Sequence, residues 1–414
     1  MSYYILPKNN NYVDIKPIVD LKKINIITSF SIYNYYKDVH NQLIKIISEE
    51  LFDVSFNSME QIYKEFNPHE YIFSKVPGSK FSVSKLKTKT NLFYEFLEIS
   101  NTLNCFDSFK NTNIKFFYMG ENFHDVVECF SLLRENKEDI LLDFFQLEKE
   151  KEQLLSVEKE KYDFLFCEML GITKKKTNII CLNESGINES ISGINESGIN
   201  DYILYFVKVI LKILKYQSPN GICIIQINHI THKPIIELLH LITSLFDKTY
   251  IIKPNSSNIT SFDKYLVCKN FIFTDARREL YKRYYKQLNE IDVNYEKNNL
   301  SEKNIISILN NGYSNDKGND KGNDKGNDKG NESLALPYYF MNKIDDINII
   351  IGQQQLECMD QIIHMFKNNN QKERIELMRK VNIQKSVNWC EKFKIPCNKF
   401  VEKTNIFLPI LKED

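Results

Sequence analysis

Four basic side chains interleaved with aromatics stand out first. Ala276 to Lys286 reads ARRELYKRYYK, and places Arg277, Arg278, Lys282 and Arg283 among Tyr281, Tyr284 and Tyr285 on a predicted helix. RNA is held by such mixtures, with cations on phosphates and rings under bases. The plainer reading is an amphipathic helix with a solvated basic face. Lys174-Lys175-Lys176 is a second basic run, of the kind more often solvated than bound. His124, His229 and His232 have no acidic ligand at defined spacing, so no metal site is expected. The nine cysteines form no CxxC pair, which points to free thiols in a reducing compartment. No Gly-x-Ser-x-Gly elbow is present. Trp389, the sole tryptophan, reads as an anchor of the C-terminal helices.

The elements that position these groups follow from the pattern of apolar residues. KFFYM (Lys115–Met119), DFLFC (Asp163–Cys167) and GICIIQI (Gly221–Ile227) are short apolar runs suited to strands buried on both faces of a parallel sheet. Helical spacing in 201–216 and 233–246 separates them or follows them, which gives alternating α/β units. Tyr250–Lys253 and Tyr265–Lys269 are joined by PNSSNITSFD, too short for a helix, so the sheet should end in an antiparallel hairpin. The expected fold is α/β and Rossmann-like, of the methyltransferase variant, with helical N- and C-terminal extensions. The expected organisation is a helical extension over 1–83 with a helix from Val39 to Glu65, the α/β domain over 84–275, a helical segment over 276–310, a linker over 311–333 and a helical unit over 334–414. Within it, NESGINESISGINESGIN (Asn183–Asn200) reads as a loop insertion spanning 182–200, and the fourfold NDKG repeat (Asn315–Gly330) as a flexible linker.

Composition narrows the functions. The chain of 414 residues carries 54 Lys+Arg against 54 Asp+Glu, so any hold on nucleic acid must be local. Its 43% hydrophobic content supports a true core. No basic start with an apolar h-region and no membrane-length apolar run is present, and the expected location is cytoplasmic.

Asn220–Phe271, with Lys253-Pro254-Asn255-Ser256-Ser257 followed by Tyr265-Leu266-Val267, resembles the FtsJ-like ribose 2′-O-methyltransferases, in the form encoded by nucleocytoplasmic large DNA viruses. KSVNWCEKFKIPCN near the C-terminus is similar to the tail of the viral members. The resemblance implies S-adenosylmethionine as cofactor, held at a Pro-Gly-Gly turn, and a Lys-Asp-Lys-Glu tetrad acting on RNA, with mRNA cap methylation as the setting. This chain departs at each position. The turn Gly120-Glu121-Asn122 is followed by Phe123, His124 and Asp125 in place of Pro-Gly-Gly, so those side chains should fill the pocket and Asp125 should face the carboxylate of the cofactor. The tetrad falls on Leu92, Glu168, Gln226 and Asp263. Gln226 neither accepts nor releases a proton near neutrality. The resemblance therefore implies a degenerate member that binds cofactor weakly or not at all and serves as an RNA-processing scaffold or a stimulatory subunit beside an RNA-capping enzyme, as the small subunit of the poxvirus capping enzyme does. An active enzyme drawing its base from Lys87 or Lys89, and a structural particle protein, are the competing readings.

Overall fold

The computed structural model describes residues 2–50, 64–135, 138–144, 160–168, 196–297, 303–309, 336–367, 371–398 and 400. A seven-stranded sheet forms its centre, built from β1 (Ser2–Leu6), β3 (Lys115–Met119), β4 (Ile140–Asp143), β5 (Tyr162–Cys167), β6 (Gln217–Ile227), β7 (Phe246–Lys253) and β8 (Lys264–Phe271). Their order is β1-β7-β8-β6-β5-β3-β4. Strands β4, β3, β5 and β6 run parallel, and β8 enters antiparallel between β6 and β7. This is the expected Rossmann-like methyltransferase arrangement with its antiparallel close. The three apolar runs lie on β3, β5 and β6, whose residues pack on both faces.

Helices α2 (Leu92–Thr102) and α3 (Phe123–Arg134) cover one face, where Phe93, Phe96, Phe116, Phe130 and Phe164 interlock and Trp389 closes the layer. The other face carries α4 (Glu196–Tyr216) and α5 (Lys233–Leu245), the latter buried along all 13 of its residues. Outside them lie α6 (Asp275–Lys297) and a two-stranded sheet of β2 (Ile15–Asp20) with β9 (Asn304–Leu309). Helices α1 (Phe30–Glu50), α7 (Tyr338–Lys367) and α8 (Gln371–Lys392) complete the chain.

Several boundaries differ from the sequence expectation. The first 20 residues contain strands rather than helix: β1 pairs with β7, directing Tyr4 and Leu6 inward while Tyr3 and Ile5 stay about half exposed. The helix expected from Val39 begins earlier, as α1 from Phe30, and residues 51–63 of the expected span lie outside the described residues. The segment expected to be helical over 276–310 ends in β9, because Glu237 of α5 accepts hydrogen bonds from Ser307 Oγ (2.8 Å) and the backbone N–H groups of Ile308 (2.6 Å) and Leu309 (3.3 Å), fixing an extended chain there. The repeat expected as a loop through Asn200 is recruited into α4 from Glu196. Asn200 is buried and donates to Asn304 Oδ1 (2.8 Å) while accepting from Ile305 N (3.1 Å), so burial against β9 overrides the poor helix propensity of the repeat. The rest of that repeat, the NDKG tract and Lys174–Lys176 lie outside the described residues. No described helix is long and apolar enough to cross a membrane.

Candidate functional site

In an open α/β sheet, ligands bind beyond the carboxyl ends of the strands where the strand order reverses. Here that point lies past β3, between its neighbours β4 and β5. The chain leaves β3 through Gly120, Glu121 and Asn122 into α3, and the backbone N–H groups of Glu121 and Asn122 turn toward the end of β5. A carboxylate of the same chain already meets them. Glu168, at the end of β5, accepts from Glu121 N (3.0 Å), Asn122 N (3.1 Å), Asn122 Nδ2 (2.5 Å) and the Tyr118 hydroxyl, and its own backbone N–H bonds Met119 O at 2.8 Å. Burial and the carboxylate together push the Tyr118 phenol far above its ordinary value, so Tyr118 remains a donor. A Cβ at Gly120 would lie 2.5 Å from both Glu168 Cβ and Tyr118 Oη. Glycine is required here by the approach of Glu168.

The three residues after the turn take other directions than the sequence suggests. Phe123 packs its ring on Tyr118, 5.5 Å between centroids. His124 points outward with 65% of its side chain exposed. Asp125 does not face the crevice. It is buried and accepts from Lys89 N (3.0 Å) and the Thr90 hydroxyl, tying the segment before α2 to α3. Glu168, the residue expected to act in the tetrad, thus occupies the inner side of the turn, whereas a hollow of about 520 Å³ stays open between the start of α3 and the end of β4, lined by Glu121, Phe123, His124, Val127, Glu128 and Asp143. His124, Asp125 and Glu128 bring ligand atoms within 4.8 Å of one another, but both Asp125 oxygens are already engaged.

The other tetrad positions converge on Tyr265. Gln226 pairs with it across β6 and β8 and is buried, and Glu168 follows Cys167, which pairs with Ile225. Burial raises the Tyr265 phenol well above its usual range, with the charges of Glu95, Asp263 and Glu168 adding to it. Its hydroxyl donates to Glu95, which also accepts from Asn91 Nδ2 at 3.1 Å. Asp263 accepts from Asn228 Nδ2 at 3.5 Å. Leu92 begins α2 and is a core residue, while Lys87 and Lys89 are exposed. The cluster holds three carboxylates, a phenol and an amide. Of the two buried amines nearby, Lys264 lies on the opposite face of the sheet, since it pairs with Ile227, one residue past Gln226, whereas Lys253 is lowered to about 8 by burial against the opposing charges of Asp263 and Glu95.

Glu95 and Glu98 were legible only as two acids, three residues apart, in an otherwise apolar turn of α2. Glu98 is fully buried and accepts from Asn255 N (3.1 Å), Ser256 N (2.9 Å), Ser256 Oγ (2.8 Å) and Trp389 Nε1 (3.0 Å). It fixes the Lys-Pro-Asn-Ser-Ser loop that leads to Asp263.

The element order, the inserted β8 and this loop together suggest a methyltransferase fold. Residues 124–271 match the FtsJ-like methyltransferase family. The match spans about a third of the chain, from α3 through β8, and begins just past the turn at which Glu168 binds. No curated protein matches the chain. FtsJ-like methyltransferases use S-adenosylmethionine; in this chain Glu168 takes two N–H donors of the turn and the space over Gly120, while the hollow beside the turn stays open.

The remaining candidates lie elsewhere. Arg277 donates to Ser244 O at 2.7 Å, Arg278 pairs with Asp275 (2.9 Å), Lys282 pairs with Glu279 (2.8 Å), and Arg283 covers the Tyr12 ring at 4.2 Å. Their helix starts where β8 ends beside the start of β7, the far end of the sheet from Gln226. His229 packs against Phe262, 4.1 Å between ring centroids, and His232 precedes α5, its imidazole lowered to about 4 by burial.

Proposed function

We propose that this protein is a methyltransferase-fold member of the RNA-processing machinery that does not itself transfer methyl groups, and that it acts as a scaffold or stimulatory subunit for an active RNA-modifying enzyme such as one of the capping enzymes. The observation that carries this reading is the Glu168 carboxylate seated on the N–H groups after β3. An anion bound there intramolecularly competes with any ligand at an effective concentration that no free cofactor reaches. Gln226 at the strand end supports it further, since the general-base share of about 10²–10⁴-fold in rate needs a group that can hold a proton. The competing active-site reading would draw on Lys87 or Lys89, and both face solvent.

Calorimetry with S-adenosylmethionine tests the proposal. Wild type is expected to show no binding, and Gln226→Lys no labelled methyl incorporation into capped or uncapped RNA. Micromolar cofactor affinity in the wild type overturns the reading.

A further inference from the structure

Lys264 opens β8 with its side chain on the face away from Gln226. Its Nζ is buried and donates to Asn228 O at 2.8 Å and Phe262 O at 3.0 Å. An ammonium brings three N–H donors and a neutral amine two. Two carbonyl acceptors therefore match the neutral amine and leave its lone pair unused. The residue lines a cavity of about 40 Å³ between α1, α7 and the ends of β6 and β8, walled by Ile32, Tyr33, Tyr36, His229, Phe262 and Ile351. This space exceeds the roughly 10–15 Å³ that one water needs and falls far short of the roughly 150 Å³ that accepts benzene. Its occupant has only a few heavy atoms. Aromatic and aliphatic side chains share the wall with Ser29, Thr231, Asn348 and Gln355, which suits a small molecule that takes a few hydrogen bonds.

We propose that Lys264 is a carbamylation site, at which carbon dioxide enters this cavity and adds to the side-chain amine. The nitrogen lone pair forms the new N–C bond, one C=O π pair moves onto oxygen, and the nitrogen sheds one proton to water, leaving a carbamate anion. The remaining N–H still serves one of the two carbonyls. The wall supplies donors for the new oxygens. The Tyr33 phenol is kept protonated by burial, and Asn348 has a second N–H beyond the one it donates to Ile230 O at 3.1 Å. Lys253, whose Nζ bonds Ser261 O and Asp263 O on the same loop, provides positive charge, against the negative charge of Asp263. Burial, aided by the charge of Lys253, lowers the Lys264 amine to about 7. A large fraction is then neutral at physiological pH, where an exposed lysine is neutral at roughly 0.1%.

The proposal is independent of methyl transfer, and its test does not read it. The full chain is equilibrated with ¹³C-labelled bicarbonate near neutral pH, carbamates are trapped by O-ethylation with a trialkyloxonium salt, and the digest is mapped by mass. An ethyl carbamate is expected on the Lys264 peptide and absent in Lys264→Met. It is also expected to fall in Gly352→Val. A Cβ at Gly352 comes within 3.1 Å of the Ile32 side chain, so this change fills the cavity from α7 and leaves Lys264 in place. If Lys264→Met does not fold, the wild-type map and Gly352→Val still decide. No adduct at Lys264, or equal trapping on exposed Lys87 and Lys89, overturns the proposal.

Discussion

Glu168 carries more of this reading than any other side chain, because one carboxylate satisfies two backbone donors, an amide and a phenol. Glu168→Ala should leave those buried donors unpaired and cost about 1.5–3 kcal/mol, as for hydrogen bonds to charged groups, read from urea midpoints at constant m-value. On the proposed reading, a change that restores cofactor affinity starts at Glu168. Asp125→Gly, which the sequence alone would recommend, should instead destabilise by releasing Lys89 N and Thr90, with no gain in cofactor affinity by calorimetry. Lys264 gives a pH signature. Its amine sits at about 7 in the folded chain, against about 10.4 unfolded. Between these values the unfolded chain holds more protons, so stability rises with pH across the window and the full burden remains below pH 7. Lys264→Met should flatten the rise between about pH 7 and pH 10 in denaturation curves, and an unchanged slope would show that the amine is not buried.

Strands β3, β5 and β6 are plain in the sequence because residues buried on both faces must be continuously apolar, and the hairpin is plain because ten residues cannot hold a crossover helix. Strand β1 is hidden by its position. SYYIL alternates inward and outward as an edge strand should, but no turn signal precedes it and its partner β7 lies more than 240 residues away. The contact of Glu168 is hidden for a related reason: the sequence marks it only as an acid at a strand end, and its reach back onto the loop after β3 depends on a parallel pairing of strands more than 40 residues apart. Helix α5 carries a prediction at this scale. Buried His240 has no hydrogen-bond partner on either ring nitrogen, packs on Phe340 of α7 and is lowered to about 4 by burial. Unfolded, it would titrate near 6.5, so the unfolded chain binds more protons between about pH 4 and 6.5 and the native state loses stability as pH falls through that window. His240→Leu should raise the melting temperature, most of all near pH 5. A gain independent of pH would assign the effect to packing alone.

Across the described residues, the segments before and after the α/β domain are built into the fold they flank. β1 completes the central sheet at β7, β2 pairs with β9, and α1 packs along α7. The C-terminal unit also reaches the loop that carries Asp263: Gln355 of α7 donates to Ser261 O at 2.7 Å, and Trp389 of α8 donates to Glu98, which holds Asn255 and Ser256. Farther on, Lys85 N bonds Pro396 O and Asn398 N bonds Val83 O, joining the two sides of the chain around α2. The described helices α7 and α8 are therefore not a detachable appendage to the α/β unit, as their separation by the NDKG repeat suggests. Truncation before Leu334 would uncover Phe340, Ile344 and Ile347 contacts on one face of the sheet, leave Glu98 without its indole donor and expose the side of α1 that packs on α7. Each large side chain withdrawn from a core costs about 2–5 kcal/mol, so losing several exceeds the roughly 5–15 kcal/mol that separates a native domain from its unfolded state. The truncated chain is expected to be insoluble or to lack a cooperative melting transition. Shortening the NDKG repeat, which contains no apolar residue, should shift the midpoint by no more than the small loop-length term. Circular dichroism melts of both variants check this, and a truncated chain that melts cooperatively near the wild-type midpoint would show that the α/β unit folds without its C-terminal helices.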